Sequence, residues 1–188
     1  MALKLTVRSR KTLTDTNPQL SIFKSRKLFF LLILPLLAMI EKDNSPAFSH
    51  IDSSISNDSA LCDSLIRFAG KYLNKPYCYG SNPPRCFDCS GFVNFVFGNF
   101  GKVVPNSSGA IALHGKFISF KNAVAGDLIF FTGRNSQSET VGHVGIVTEQ
   151  KDGKIYFIHA SVQAGVIVSN TEEDYYKKRL LFVKRVKL

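Results

Sequence analysis

The sequence predicts an α+β domain, with helices first and a five- to six-stranded antiparallel sheet after them. Three observations carry this. Between about residues 58 and 114, apolar residues recur at helical spacing. After Gly126 the pattern changes to short segments rich in Val, Ile and Phe, separated by turn residues. A block of helices followed by a block of strands is the order of an α+β fold. The 188 residues, 45% of them hydrophobic, suffice for one domain with its own core plus a targeting segment. Sixteen Phe and no Trp point to a core packed on phenylalanine.

Residues 1–47 read as a basic leader. Lys24, Arg26 and Lys27 precede a nearly continuous apolar run from Leu28 to Ile40, broken only by Pro35. A charged stretch followed by a short apolar run is the pattern of a secretory signal. The run falls short of the ~20 residues a membrane span needs. The segment 28–40 is therefore expected to be a cleaved signal or an uncleaved anchor, and the protein is expected to be exported to the periplasm, cell envelope or medium. Residues 48–57, rich in Ser, Asn and Asp, read as a linker, and 58–188 as the functional domain.

The first helix is expected from about Asp58 to Leu73, with Leu61, Leu65, Phe68, Ala69 and Tyr72 on one face and Asn57 or Asp58 as its cap. A loop follows through Gly80-Ser81-Asn82-Pro83-Pro84-Arg85. A second helix begins near Cys89, carries Phe92, Val93, Val96, Phe97 and Phe100 on one face, and stops at Gly101. Pro105-Asn106-Ser107-Ser108 caps a short third helix running to about His114. Strands are expected at Leu128–Thr132, His143–Glu149, Lys154–His159, Gly165–Ser169 and Leu180–Val186.

The formal charge is +10. Residues 1–47 hold eight Lys/Arg and three Asp/Glu, so half of the excess lies in the leader and the remainder carries +5. With no nucleic-acid-binding motif present, no nucleic acid is expected as a partner. A moderately basic body suits an anionic cell-wall or membrane surface.

The chemistry centres on Asp88-Cys89-Ser90-Gly91-Phe92. A cysteine at a helix N-terminus faces unpaired backbone N–H groups and the positive end of the dipole, both of which favour a thiolate. Cys89 is thus a candidate nucleophile. The turn Gln150-Lys151-Asp152-Gly153 then joins two strands that bear His143 and His159. If the turn centres on Lys151, the histidines lie directly opposite, about 5 Å apart at Cβ. A register shifted by two makes them diagonal neighbours at about 7–8 Å. Both registers keep the two imidazoles on one face. A thiol, a base and a group to orient that base are the parts of a nucleophilic site.

Five blocks occur in a fixed order: Lys75-Pro76-Tyr77-Cys78-Tyr79-Gly80, Asp88 to Phe92, Gly126-Asp127-Leu128-Ile129-Phe130-Phe131, Gly142-His143-Val144-Gly145-Ile146-Val147 and Ile158-His159-Ala160-Ser161. Together they resemble the signature blocks of the NlpC family, papain-like cell-wall cysteine peptidases, from about residue 60 to the end. The resemblance implies a papain-like fold and hydrolysis of peptidoglycan stem peptides at the bond between γ-D-glutamate and a diamino acid. It implies Cys89 as nucleophile, His143 as general base and His159 as the group orienting it. It assigns Tyr77 to the oxyanion site beside the Cys89 N–H, and Asp88, Ser90 and Ser108 to the substrate cleft, Asp88 being suited to a substrate ammonium. No metal or cofactor is expected, and a monomer is. Two positions depart from the pattern: Ser81 stands where relatives carry a second glycine, and Ile111-Ala112 stand where a Gln is frequent.

Other readings compete with this one. The same Cys–His pair serves an amidase or acyltransferase, and a catalytically silent wall-binding protein would keep the fold alone. Cys86-Phe87-Asp88-Cys89 has a spacing used for zinc or disulfide exchange, but zinc needs two more ligands and an exchange motif a βαβ context. In an exported protein a disulfide among Cys62, Cys78 and Cys86 leaves Cys89 free; the pairing stays open among the three, with Cys78–Cys86 and a buried Cys62 the preferred one. His114 and His50 carry no expected role, and Asp127 is expected to hold a turn.

Overall fold

The computed structural model describes the backbone of residues 47–187 and the side chains of residues 58–187. The leader, including the candidate signal or anchor at 28–40, and the His50 side chain lie outside the described residues. Among those described, no helix is long and apolar enough to cross a membrane.

Helix α1 spans Ala47–Gly70. The backbone of 48–57, read above as a linker, is thus helical. Phe48, Ile51 and Ile55 recur at helical spacing among themselves. Ser, Asn and Asp each cost only a few tenths of a kcal/mol in a helix interior, which such spacing overrides. The helix also ends before Leu73, in a turn where Asn74 takes a positive φ of 65°. Helix α2 spans Cys89–Gly98 and α3 spans Ser108–Ile111. Strand β1 (Lys116–Ile118) was not expected from the sequence. The others correspond to expected strands: β2 Leu128–Thr132, β3 Val141–Lys151, β4 Lys154–Ser161, β5 Gly165–Asn170 and β6 Leu180–Arg185. A four-residue helix, α4 (Asp174–Lys177), sits in the β5–β6 connection.

The sheet is open and antiparallel, in the order β1-β6-β2-β3-β4-β5. All five residues of β2 are buried because both its faces are covered. On one face Leu128, Phe130, Val144, Ile146, Ile158 and Ala160 pack with Phe92, Val93, Val96 and Phe97 of α2 and Leu65 of α1. On the other, Ile129, Phe131, Val147, Phe157 and Val183 pack under Ala123 and Tyr176. Phenylalanine dominates the core, as the composition implied: Phe87, Phe92, Phe97, Phe130, Phe131 and Phe157 are fully buried. Asp127 is buried at the foot of β2. Its carboxylate accepts from the Val124 N–H at 2.9 Å and from Arg185 Nε at 2.7 Å, which confirms a structural role.

Candidate active site

The site forms where α2 meets the β3–β4 hairpin. Asp88 caps α2: its Oδ1 accepts from the Gly91 N–H at 2.7 Å. Cys89 is the first helical residue and is partly buried. The expected fall in its thiol pKa is reversed. Burial pushes the thiol up, and the Asp88 carboxylate adds to that. The backbone N–H groups of Val144, Ser90 and Cys89 itself, directed at the sulfur, offset only part of it. The thiol therefore keeps its proton at neutral pH.

The hairpin turn is tighter than a turn centred on Lys151. Asp152 and Gly153 both take positive φ, 51° and 73°, and Lys151 pairs with Lys154. This is the two-residue turn whose twist matches the strands. A bulge between Val147 and Glu149 then moves the register so that Ile146 faces Ile158. Extending that register sets Gly145 opposite His159, and His143 and His159 become the diagonal pair. Gly145 has a reason to lack a side chain: a Cβ there would stand 2.8 Å from the Phe157 ring and 3.2 Å from the His159 Cβ. Paired positions end at Ile146–Ile158, although β3 continues to Val141 and β4 to Ser161. The Val144 N–H, from this stretch of β3, draws the Cys89 thiol pKa down against the rise from burial.

His143 Nε2 lies 2.9 Å from His159 Nδ1. That leaves Nδ1 as the free nitrogen of His143. Burial pushes His143 down to about 4. His159 is fully buried; burial, together with the neighbouring His143, lowers it to about 3. Both rings are neutral at pH 7. His159 is walled by Phe157 and Tyr176, with ring centroids 5.0 and 5.1 Å away. The Tyr176 hydroxyl lies 3.1 Å from His159 Nε2. Sequence reasoning missed Tyr176. It stands in a four-residue helix with no periodicity to signal it.

The loop before Cys89 is held by several ties. A Cys78–Cys86 disulfide closes it, as expected, leaving Cys89 free and Cys62 free but only half-buried. The Phe87 N–H donates to the Pro76 carbonyl and the Cys78 N–H to that of Phe87. These bonds hold Tyr77 close to Cys89; burial pushes its phenol up first, and charge on the Cys89 sulfur adds to this. Asp88 Oδ2 accepts from the Gly80 N–H at 2.9 Å. Ser81, at a positive φ of 51°, accepts from the Asp88 N–H at 2.7 Å. Its side chain fills the space that a Cβ on Gly91 would need. The departure at Ser81 thus adds a bond to the helix cap.

Ser90 is buried, its hydroxyl 3.0 Å from both Asp88 Oδ1 and the Asn106 carbonyl. Ser108 opens α3, under the Ser107 cap. His114 is exposed and distant in role. Among the described residues no cluster of His, Cys, Asp or Glu is arranged to hold a metal.

Comparison with known proteins agrees with this architecture. The model of the NlpC/P60 family matches residues 74–185. Gamma-DL-glutamyl hydrolase of Bacillus subtilis is 33% identical over 134 residues, 70% of this chain and 31% of that protein. Murein DD-endopeptidase MepS/Murein LD-carboxypeptidase of Escherichia coli is 38% identical over 111 residues, 58% of this chain and 55% of its own. The chain thus spans about a third to a half of these relatives' lengths. The solved NlpC/p60 domain of the peptidoglycan hydrolase SagA superposes with a TM-score of 0.55 at 27% identity, covering 66% of this chain and 98% of that one. With its open six-stranded sheet, its helices and a family model covering more than half of its length, the chain belongs to the NlpC/P60 family and has its papain-like fold.

Proposed function

We propose that this chain is an exported cysteine peptidase that hydrolyses amide bonds in peptidoglycan stem peptides. The bond is the one between the γ-carboxyl of D-glutamate and a diamino acid. The observation that carries this reading is the His143–His159 pair, bonded at 2.9 Å, on strands that pack against the helix headed by Cys89. In this reading Cys89 is the nucleophile, His143 the base and His159 its orienting partner.

Thiol and imidazole are both neutral at pH 7, because burial raises one and lowers the other to about 4. The Cys89 proton therefore passes to His143 Nδ1 as the sulfur attacks the amide carbon. The resulting oxyanion lies toward the Cys89 N–H and the Tyr77 hydroxyl. His143 returns the proton to the departing amine, leaving a thioacyl-enzyme. Water, deprotonated by His143, then releases the γ-carboxylate and restores the thiol. Asp88, Ser90 and Ser108 line the cleft. Asp88 Oδ2, with one bond to Gly80, retains a lone pair for a substrate ammonium.

The substrate is supported by the names of the relatives, a glutamyl hydrolase and a murein peptidase. Export, with 28–40 as signal or anchor, is supported by the leader pattern. A monomer is supported by a site assembled within one chain. Mass spectrometry of purified peptidoglycan digested with the protein tests the bond. The expected products end in a free D-glutamyl γ-carboxylate and begin with a diamino acid amine. Fragments cut at a D,D- or L,D-bond, as the E. coli relative's name describes, would move the assignment to those bonds.

A further inference from the structure

Tyr176 has no part in the mechanism above, yet its hydroxyl is 3.1 Å from the buried Nε2 of His159. This inference rests on the reading of Cys89 and His143 as nucleophile and base. When His143 takes the thiol proton at Nδ1, both its nitrogens carry hydrogens. The Nε2–H then needs an acceptor, and His159 Nδ1, at 2.9 Å, is in position. It accepts only if the His159 proton sits on Nε2. His159 is fully buried, so an Nε2–H without a partner costs the desolvation of a polar group. Tyr176 oxygen supplies that partner.

We propose that Tyr176 is a positioning residue: it accepts from His159 Nε2–H, fixing the tautomer that lets His143 act as a base. A phenol that accepts must send its own proton elsewhere. Burial raises the Tyr176 pKa and the hydroxyls of Ser169 and Ser161 pull it the other way, so both lie near enough to act on the phenol. The opposite polarity, with Tyr176 donating to His159, would put the His159 proton on Nδ1. It would then donate to His143 Nε2 and force that ring's proton onto Nδ1, the atom that must be free. Packing fixes the phenol's place: its ring lies 5.1 Å from Phe157 and 5.4 Å from Phe131.

Two measurements test this. The first reads the ring-nitrogen ¹⁵N shifts of full-length Cys89→Ala protein, which needs no turnover. The expected result is a protonated Nε2 and a bare Nδ1 on His159; the reverse would overturn the proposal. The second compares Tyr176→Phe with wild type on a stem tripeptide, L-alanyl-γ-D-glutamyl-diaminopimelate, with thermal unfolding as a check on folding. We expect kcat to fall about tenfold or more, with KM within about twofold, because the lost bond acts on proton transfer rather than on substrate contact. In a His159→Ala background the same change should cost nothing further. An unaltered kcat in Tyr176→Phe, or an equal loss in both backgrounds, would overturn it. Turnover by Cys89→Ala would instead refute the nucleophile assignment and leave the tautomer result standing.

Discussion

At the residue scale, the proposed mechanism works through two buried neutral groups rather than a preformed ion pair. His143 is lowered to about 4, so kcat/KM should fall as pH drops through about 4 and not near 6.5. A pH profile on the stem tripeptide checks this; an acid limb near 6.5 would mean a solvated base. In the proposed mechanism His159 accepts at Nδ1, and an asparagine carbonyl can accept from His143 as well. His159→Asn should therefore retain more kcat than His159→Ala, by about tenfold, the worth of one buried hydrogen bond. Equal losses in the two variants would argue against an orienting role. Cys89, His143 and His159 were legible as candidates because each sits in a block with its own local logic. Tyr176 was not, since nothing in its own segment distinguishes a site tyrosine from a core one.

At the scale of the element, the hairpin and the α2 cap set the geometry. Gly145→Ala would push a methyl into the Phe157 ring and the His159 Cβ. Overpacking of this kind costs about 1–3 kcal/mol, and here it also shifts His159. A lower urea midpoint together with a lower kcat is expected; a loss of stability with kcat intact would separate the strand from the site. Asp88→Ala removes the acceptor for Gly91, Ser90 and Gly80 at once. Loss of a helix cap alone costs about 1 kcal/mol, so a drop of at least that size in unfolding free energy is expected. The strands were legible from Val, Ile and Phe content, and the shared face of the two histidines from period two. The choice of the diagonal register over the direct one was not, because it depends on the bulge after Val147 and on a turn at Asp152-Gly153. The three-residue β1 is too short to leave a pattern of its own. It exists because β6 offers it an edge, pairing Lys116 to Ile118 with Arg185 to Val183.

At the scale of the whole molecule, the buried imidazoles tie stability to pH. Their folded pKa values, about 4 and about 3, lie below the ordinary 6.5 of an unfolded chain. The unfolded chain therefore binds more protons once pH falls below 6.5. Stability is fully present above 6.5 and is lost as pH falls toward 4 and then 3, by up to about 1.4 kcal/mol per pH unit for each ring. Urea midpoints at pH 7 and pH 5 should differ less for His159→Asn than for wild type; an equal difference would place the acid sensitivity elsewhere. The order of helices and strands made the fold class readable, and Cys89 lies where that order brings α2 against β3 and β4. The central claim is that the Cys89 sulfur attacks the stem peptide. It is tested most directly by release of stem-peptide fragments from purified peptidoglycan by Cys89→Ala, at a concentration and thermal stability matched to wild type. Complete loss of release is the expected result, and undiminished release would contradict it.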